Sequence, residues 1–183
     1  MLDIGGNLHL EERYPAGAYV DRQDLVLRFN TGYGLGFEDK FRFTSGSQLL
    51  IGATTNRTIN SHIPRLQVQG TNYSGATVSI INNANDNNGS YLFFAKQRSG
   101  SYGGSTIVNN GDIIGQIRFS GADGTDLENP MAYIECRVDG TPGSNDVPGR
   151  LSFYTTPDGT GSPVERLRIT QLGDIYAGNA DTG

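Results

Sequence analysis

Glycine and proline interrupt this chain so often that few stretches free of both are long enough for a helix of several turns. The 183 residues include 26 glycines and 7 prolines, and both residue types disfavour the interior of a helix. One of the longer uninterrupted stretches, residues 76–88, ends in a run rich in asparagine, which favours turns. We therefore expect a fold with almost no helix.

Short runs rich in β-branched and aromatic residues lie between these breakers, as is typical of strands. The runs are residues 25–29, 65–69, 77–81, 91–95, 113–119, 132–138, 150–154 and 165–169. Several of them alternate apolar and polar residues, which places the apolar side chains on one face of a sheet. With turn signals and no helical spacers between the runs, the pattern predicts an all-β fold, an antiparallel β-sandwich or jelly-roll-like module.

Two similar segments lie 126 residues apart. Residues 42–52 and 168–178 each open with Arg, an apolar residue and Thr, and each closes on a glycine ten residues after the Arg. The pattern predicts a strand, a tight turn and a second strand at both ends of a domain-sized block, as in one module of a tandem array. Chance similarity is the alternative, because the pattern is short.

Three segments follow from this organisation. Residues 1–60 are predicted to form an N-terminal β segment and connector, which either docks on another protein or continues a shaft. Residues 61–178 are predicted to form the β-sandwich-like module, and residues 179–183 a tail or the start of another connector.

The charge balance and the single cysteine exclude several classes of protein. The chain has 14 Lys and Arg against 19 Asp and Glu, with no basic run, so we expect no nucleic-acid partner. No apolar stretch approaches the roughly 20 residues that span a bilayer, and the first residues do not resemble a signal peptide, so we expect no membrane insertion. Cys136 alone supplies neither a disulfide framework nor a zinc cage, and its strand position predicts an inert core thiol.

Little in the sequence suggests catalysis. The two histidines, His9 and His62, have neither metal-ligand spacing nor a glycine-flanked serine nearby. The acidic turns do not fit a calcium loop, since Ala84 stands where residues 84–89 would need their first ligand. Paired carboxylates for cleaving a glycoside stay open, because two acids need only meet in space. We predict that the chain is not an enzyme and has no catalytic, cofactor or metal site.

Tyrosines near glycine, serine and asparagine are typical of adaptable contact surfaces, since tyrosine supplies contact area at a low cost in conformational entropy. Residues 99–105, Ser-Gly-Ser-Tyr-Gly-Gly-Ser, are the best candidate for an exposed tip. We predict a surface-binding loop with Tyr102, helped by Tyr91 and Tyr33. A flexible hairpin end is the alternative interpretation.

From about Arg65 to Gly178 the sequence resembles the β-rich module of bacteriophage tail-fibre proteins, often found upstream of a self-cleaving C-terminal chaperone. The matching stretches are residues 115–125, 138–151, 155–159 and 162–169. The resemblance implies a virion fibre, usually a homotrimer, that provides reach and attaches to a glycan or protein on the host surface. The chaperone has no counterpart in these 183 residues, so the resemblance leaves open how such a chain would form a trimer.

These observations together predict a tail-fibre component of a phage virion, made in the host cytoplasm and assembled with other virion proteins. Half-buried strands leave sheet edges and one apolar face, which symmetric association covers. Two alternatives remain: a capsid or baseplate decoration or adaptor protein that docks through its N-terminal segment, and a carbohydrate-binding module.

Overall fold

The structure is a computed structural model and describes residues 25–30 and 37–178. These residues contain no α-helix, so the predicted all-β class is confirmed. The elements are β1 Leu25–Asn30, β2 Phe37–Phe43, β3 Leu49–Ile51, β4 Leu66–Val68, a 3-10 turn at Ser74–Ala76, β5 Ile113–Gly121, β6 Asn129–Val138, β7 Gly149–Thr155, β8 Val164–Ile169 and β9 Ile175–Ala177. No helix in this part of the chain is long and apolar enough to cross a membrane.

The chain divides into two compact units. Among the described residues, unit 1 comprises residues 25–30, 37–55 and 65–75, and unit 2 comprises residues 56–64 and 76–178. The predicted division after residue 60 stays a prediction. Residues 1–24 and 31–36 of the predicted N-terminal segment, and the whole predicted tail, lie outside the described residues.

Unit 1 contains a four-stranded sheet in the order β1-β2-β3-β4. The first two pairings are antiparallel, and β4 runs parallel to β3. Leu50, in the middle of β3, is completely buried. Strand β3 therefore has a hydrogen-bonded neighbour on each side and an apolar centre.

Unit 2 contains a five-stranded antiparallel meander in the order β5-β6-β7-β8-β9. Each strand pairs with the one before it in the sequence, which is the arrangement that short strands joined by tight turns produce most readily. Glycines with positive φ stand in the connections, for example Gly124 at 98° and Gly159 at 78°, because a tight turn needs backbone angles that glycine adopts without strain.

Two predicted strands of unit 2, residues 77–81 and 91–95, belong to no sheet. No backbone-to-backbone hydrogen bond joins residues 78–97 to another described residue. Their composition suits a strand, but the described chain supplies no neighbouring strand. The described residues of unit 2 therefore form one sheet, and the sandwich or jelly roll predicted for this module, which needs a second facing sheet, is not formed within them.

The repeated segments form equivalent hairpins, β2–β3 and β8–β9. Each paired position in the first hairpin lies 126 residues before its counterpart in the second. In each turn a threonine N–H donates to the carbonyl four residues later, at 2.9 Å from Thr44 and 3.0 Å from Thr170. Ser47 and Gly173, at matching positions, have positive φ of 64° and 86°. The predicted strand, turn and strand are confirmed at both ends, while the tandem array stays a prediction.

The meander of unit 2 has two chemically different faces, because side chains alternate along each strand and paired residues share a face. The polar face consists of Gln116, Arg118, Tyr133, Glu135, Arg137, Arg150, Ser152, Tyr154, Glu165 and Arg168. The other face, called the open face below, consists of Ile117, Phe119, Ile134, Cys136, Leu151, Phe153, Leu167, Ile169 and Ile175.

Candidate functional site

The loop that carries Tyr102 is a closed turn with an exposed tip. The N–H of Arg98 donates to the carbonyl oxygen of Thr106 at 3.1 Å, which joins the two ends of the loop. Gly100 and Gly103 flank the tip with positive φ of 69° and 74°, values that bend the backbone sharply. Tyr102 is fully exposed. The prediction of an exposed tip at this residue is borne out by the geometry, while its binding role remains a prediction.

A buried carboxylate anchors the base of this loop. The Asp112 side chain accepts two hydrogen bonds from Arg98, from Nε and Nη2 at 2.6 Å each. Lys96 Nζ lies 3.1 Å away, and the N–H of Asn109 donates at 3.0 Å. The Arg98 guanidinium, followed by the Asn109 N–H, holds the pKa of Asp112 well below its usual range. The ion pair between Arg98 and Asp112 therefore fixes the base of the loop.

The sequence around Asp112 contains no motif that predicts this anchor. Arg98 and Asp112 are 14 residues apart, on opposite sides of a glycine-rich loop. Arg98 and Asp112 come together only when that loop closes, so no short sequence motif indicates their ion pair.

The other two predicted contact tyrosines do not join Tyr102. Tyr91 is exposed in the unpaired part of unit 2 and stacks on Phe93, with ring centroids 5.4 Å apart. The structure records no ring contact between Tyr91 and Tyr102. Tyr33 lies outside the described residues. Tyr91 and Tyr102 are therefore both exposed but separate, and the predicted contact role of the three tyrosines stays a prediction.

Two clefts in unit 2 are open to solvent. One of about 890 Å³ lies between the base of the Tyr102 loop and the turn at residues 143–147. The other, of about 660 Å³, includes Asn60, His62, Arg118 and Ser120 in its lining. Both clefts are lined by apolar as well as polar residues, and neither is an enclosed, water-excluding chamber.

The polar face is held by buried acids paired with arginines. Glu135 is almost completely buried and accepts hydrogen bonds from Gln116 and from Arg137 Nε, the latter at 2.8 Å. Glu165 accepts from the Tyr154 hydroxyl at 3.0 Å and from Arg168 at 3.0 Å. Both carboxylates are engaged in ion pairs with arginines, so neither is an unpaired acid.

Aromatic stacking reinforces this face. The rings of Tyr133 and Tyr154 stack with centroids 4.2 Å apart, and the Arg118 guanidinium lies 5.3 Å from the Tyr133 ring centroid. Burial, followed by the hydrogen bond to Glu165, raises the pKa of Tyr154 to about 12. Burial also raises the pKa of Tyr133. The long side chains lie along the sheet and cover the shorter acids beneath them.

No group of three or more His, Cys, Asp or Glu side chains among the described residues could hold a metal ion. His62, one of the two histidines, contacts the carbonyl oxygen of Asn60 through Nδ1. The absence of a cofactor and of catalysis remains a prediction.

Cys136 lies on the open face and is exposed. The prediction of a core thiol is wrong for the single chain. Alternation placed this residue correctly on the apolar side of its strand, but no described residue covers that side well enough to bury it.

Comparison with solved structures identifies this architecture. The carboxy-terminal domain of the bacteriophage T5 L-shaped tail fibre superposes with a TM-score of 0.59 and 15% sequence identity, over 79% of this chain and 60% of that one. The chain has the fold of this phage tail-fibre domain. The same T5 domain with its intramolecular chaperone domain matches with a TM-score of 0.58 and 18% identity, over 79% of this chain and 42% of that one.

These matches confirm, at the level of fold, the resemblance found in the sequence. The chain spans about half the length of the tail-fibre structures that it matches. No protein-family model and no curated protein sequence matches it.

Proposed function

We propose that this chain is a structural module of a phage tail fibre, acting in the virion as a homotrimer that gives reach and attaches to the host surface. The observation that carries the proposal is the tail-fibre fold over 79% of the chain. The small core of unit 2, where Val108 and Val138 are the buried apolar residues among those described, suits a subunit stabilised by association.

The attachment role is assigned to the Tyr102 loop. A single tyrosine at the tip of a glycine-hinged turn presents a large amphipathic side chain to a partner. The ion pair between Arg98 and Asp112 fixes the base of the loop, which limits the ordering entropy lost on binding. A host-surface glycan or protein is the proposed partner.

Labelling of virions tests the structural role. Antibodies raised against the purified chain are applied to particles of the phage whose genome encodes it, and the label is located by electron microscopy. We expect label along the tail fibres. Label confined to the capsid or the baseplate would overturn the proposal in favour of a decoration or adaptor protein.

Mass measurement tests the oligomeric state. We expect a native mass of three times the 19.7 kDa of one chain in sedimentation or light scattering. A mass of one chain at every concentration would contradict the homotrimer, while the labelling experiment would still decide whether the chain belongs to a fibre.

Binding to host cells tests the attachment role. The fluorescent full chain is titrated onto bacteria that the phage infects, and Tyr102→Ala is compared with Tyr73→Ala, an exposed tyrosine of unit 1. Loss of an aromatic anchor at an interface weakens binding about tenfold or more. We expect that loss for Tyr102→Ala only. Equal binding of both variants would remove the loop from the attachment surface.

A further inference from the structure

The open face is an apolar surface that the described chain covers only in part, where Phe94 packs against it at Gly115. Ile117 is 46% exposed, Phe119 54% and Ile175 68%. They stand on strands at both edges of the meander, β5 and β9, so the exposure extends across the sheet. A contiguous apolar patch of this kind on a folded protein marks an interaction site.

The opposite face of the same sheet is polar, and its buried acids are paired within the chain. Glu135 accepts a hydrogen bond from Arg137, and Glu165 accepts from Tyr154 and from Arg168. In this sheet, charged groups are buried on one face and apolar side chains are exposed to solvent on the other. This is the reverse of the usual distribution of polar and apolar residues between solvent and core. The surface that association would stabilise is therefore the open face.

The chemistry of the open face determines which partner fits. Its nine defining side chains carry no charge and, apart from the Cys136 thiol, no hydrogen-bonding group. A glycan or a charged polymer would lose water contacts there without replacement. A second copy of the same face would bring nine uncharged side chains against nine others without like-charge repulsion, although the chain has a net charge of −5.

The unpaired part of unit 2 adds surface of the same kind. Val78, Ile80, Leu92 and Phe93 are all exposed, and no backbone-to-backbone hydrogen bond holds residues 78–97 to other described residues. Each copy thus brings two apolar elements that remain largely exposed in the single chain. An identical partner brings the same two elements, so association of copies covers both at once.

We propose that the open face is the surface through which copies of this chain meet. The inference rests on the proposed function, which supplies the homotrimer, and adds the interface. In a homotrimer the three open faces turn toward the common axis, so that their side chains interdigitate in one shared core. In the assembly the side chains of Ile117, Phe119 and Ile175 become core residues, and the Cys136 thiol becomes inaccessible to reagents.

A pair of matched lysine substitutions tests the interface. Ile117→Lys introduces a charge on the open face, and Val147→Lys introduces the same charge in the turn between β6 and β7, at a residue that is 57% exposed. In a lone chain both positions tolerate lysine equally. We expect at least tenfold weaker self-association for Ile117→Lys in analytical ultracentrifugation, with Val147→Lys unchanged and circular dichroism showing the fold of each.

Cys136 tests the same interface without any substitution. It is the one cysteine of the chain, so a maleimide or a coloured disulfide reagent reports on the open face alone. We expect the thiol of the native protein to react at least tenfold more slowly at concentrations where it is associated than after dilution to monomers. Fast reaction in the associated protein would overturn the inference.

The outcomes separate this inference from the proposed function. A trimer whose Cys136 reacts at once and whose Ile117→Lys variant stays trimeric would retain the homotrimer and place its interface elsewhere. A chain that stays monomeric at every concentration would overturn both the interface and the homotrimer, and virion labelling would still test the fibre assignment.

Discussion

Phe94 lies so close to Gly115 that a Cβ atom on the glycine would come within 2.5 Å of the Phe94 Cβ. Gly115 is paired with Cys136 across β5 and β6, so Phe94 approaches the sheet on its open face. This contact holds the unpaired part of unit 2 to the sheet by packing, with no backbone hydrogen bond.

Gly115→Ala should therefore destabilise the chain. The added methyl group overlaps the Phe94 side chain, and overpacking of this kind costs about 1 to 3 kcal/mol. Denaturant unfolding measures the difference. Gly89→Ala is the matched control, since a Cβ there meets nothing within 4 Å, and equal stability of the two variants would contradict the contact.

The two equivalent hairpins provide a second prediction. Gly52 and Gly178 both have positive φ, 77° and 103°, so alanine is strained at either position by about 1 kcal/mol. A Cβ at Gly52 would also collide with the carbonyl oxygen of Gln69, whereas one at Gly178 has open space. The collision arises because β4 lies beside β3.

We expect Gly52→Ala to lower the free energy of unfolding by roughly 1 to 3 kcal/mol more than Gly178→Ala. Thermal unfolding of the two variants provides the comparison. Equal losses would show that the parallel β3–β4 pairing is not present in solution.

Asp112→Asn should loosen the Tyr102 loop. The substitution keeps the size of the side chain but removes the charge that pairs with Arg98. We expect faster hydrogen exchange at the N–H of Arg98, which closes the loop. Asp158→Asn, an exposed turn residue, should leave that exchange rate unchanged.

The stabilisation by Asp112 should also depend on pH. Because the folded pKa lies below the unfolded value of about 3.9, the contribution is complete above that value and is lost as the pH falls further. The wild type should exceed Asp112→Asn by a constant amount between about pH 5 and 8. The difference should shrink in acid, and a constant difference down to pH 2 would argue against the ion pair.

Tyr154→Phe should change the alkaline limit of stability. The folded pKa of Tyr154 is about 12, above the unfolded value of about 10, so its contribution is complete below pH 10 and declines between about pH 10 and 12. The variant loses the hydrogen bond to Glu165, worth about 1 kcal/mol at neutral pH.

Phenolate absorbance across an alkaline titration provides the measurement. We expect the folded variant to lack one late-titrating tyrosine, and its stability deficit to shrink above pH 10. The same late titration in wild type and Tyr154→Phe would contradict the assignment.

Local patterns predicted the strands and turns that neighbours in the sequence control. Alternation of residues 116–120 correctly separated Gln116 and Arg118 from Ile117 and Phe119. The 126-residue repeat correctly predicted two equivalent hairpins, because threonine, a turn residue with positive φ and short strands encode that geometry within eleven residues.

Pairing across longer distances was not predictable in the same way. Residues 77–81 and 91–95 have the composition of strands, yet no backbone-to-backbone hydrogen bond joins residues 78–81 or 91–95 to another described residue. Composition reports whether a segment suits a pleated surface and does not report whether a neighbour is present. The Arg98–Asp112 ion pair was missed for the same reason, since only loop closure brings its members together.

The sequence alone determined that the described residues contain no α-helix, where most of the strands lie, and which side of each strand is apolar. These features depend on backbone sterics and on the alternation of residues over a short distance. Only the tertiary structure revealed that acidic side chains are buried on the charged face of the five-stranded sheet, whereas Cys136 and several apolar side chains of the other face are exposed. A side chain is buried only when other residues pack over it, and those residues come from distant segments of the chain or from other chains.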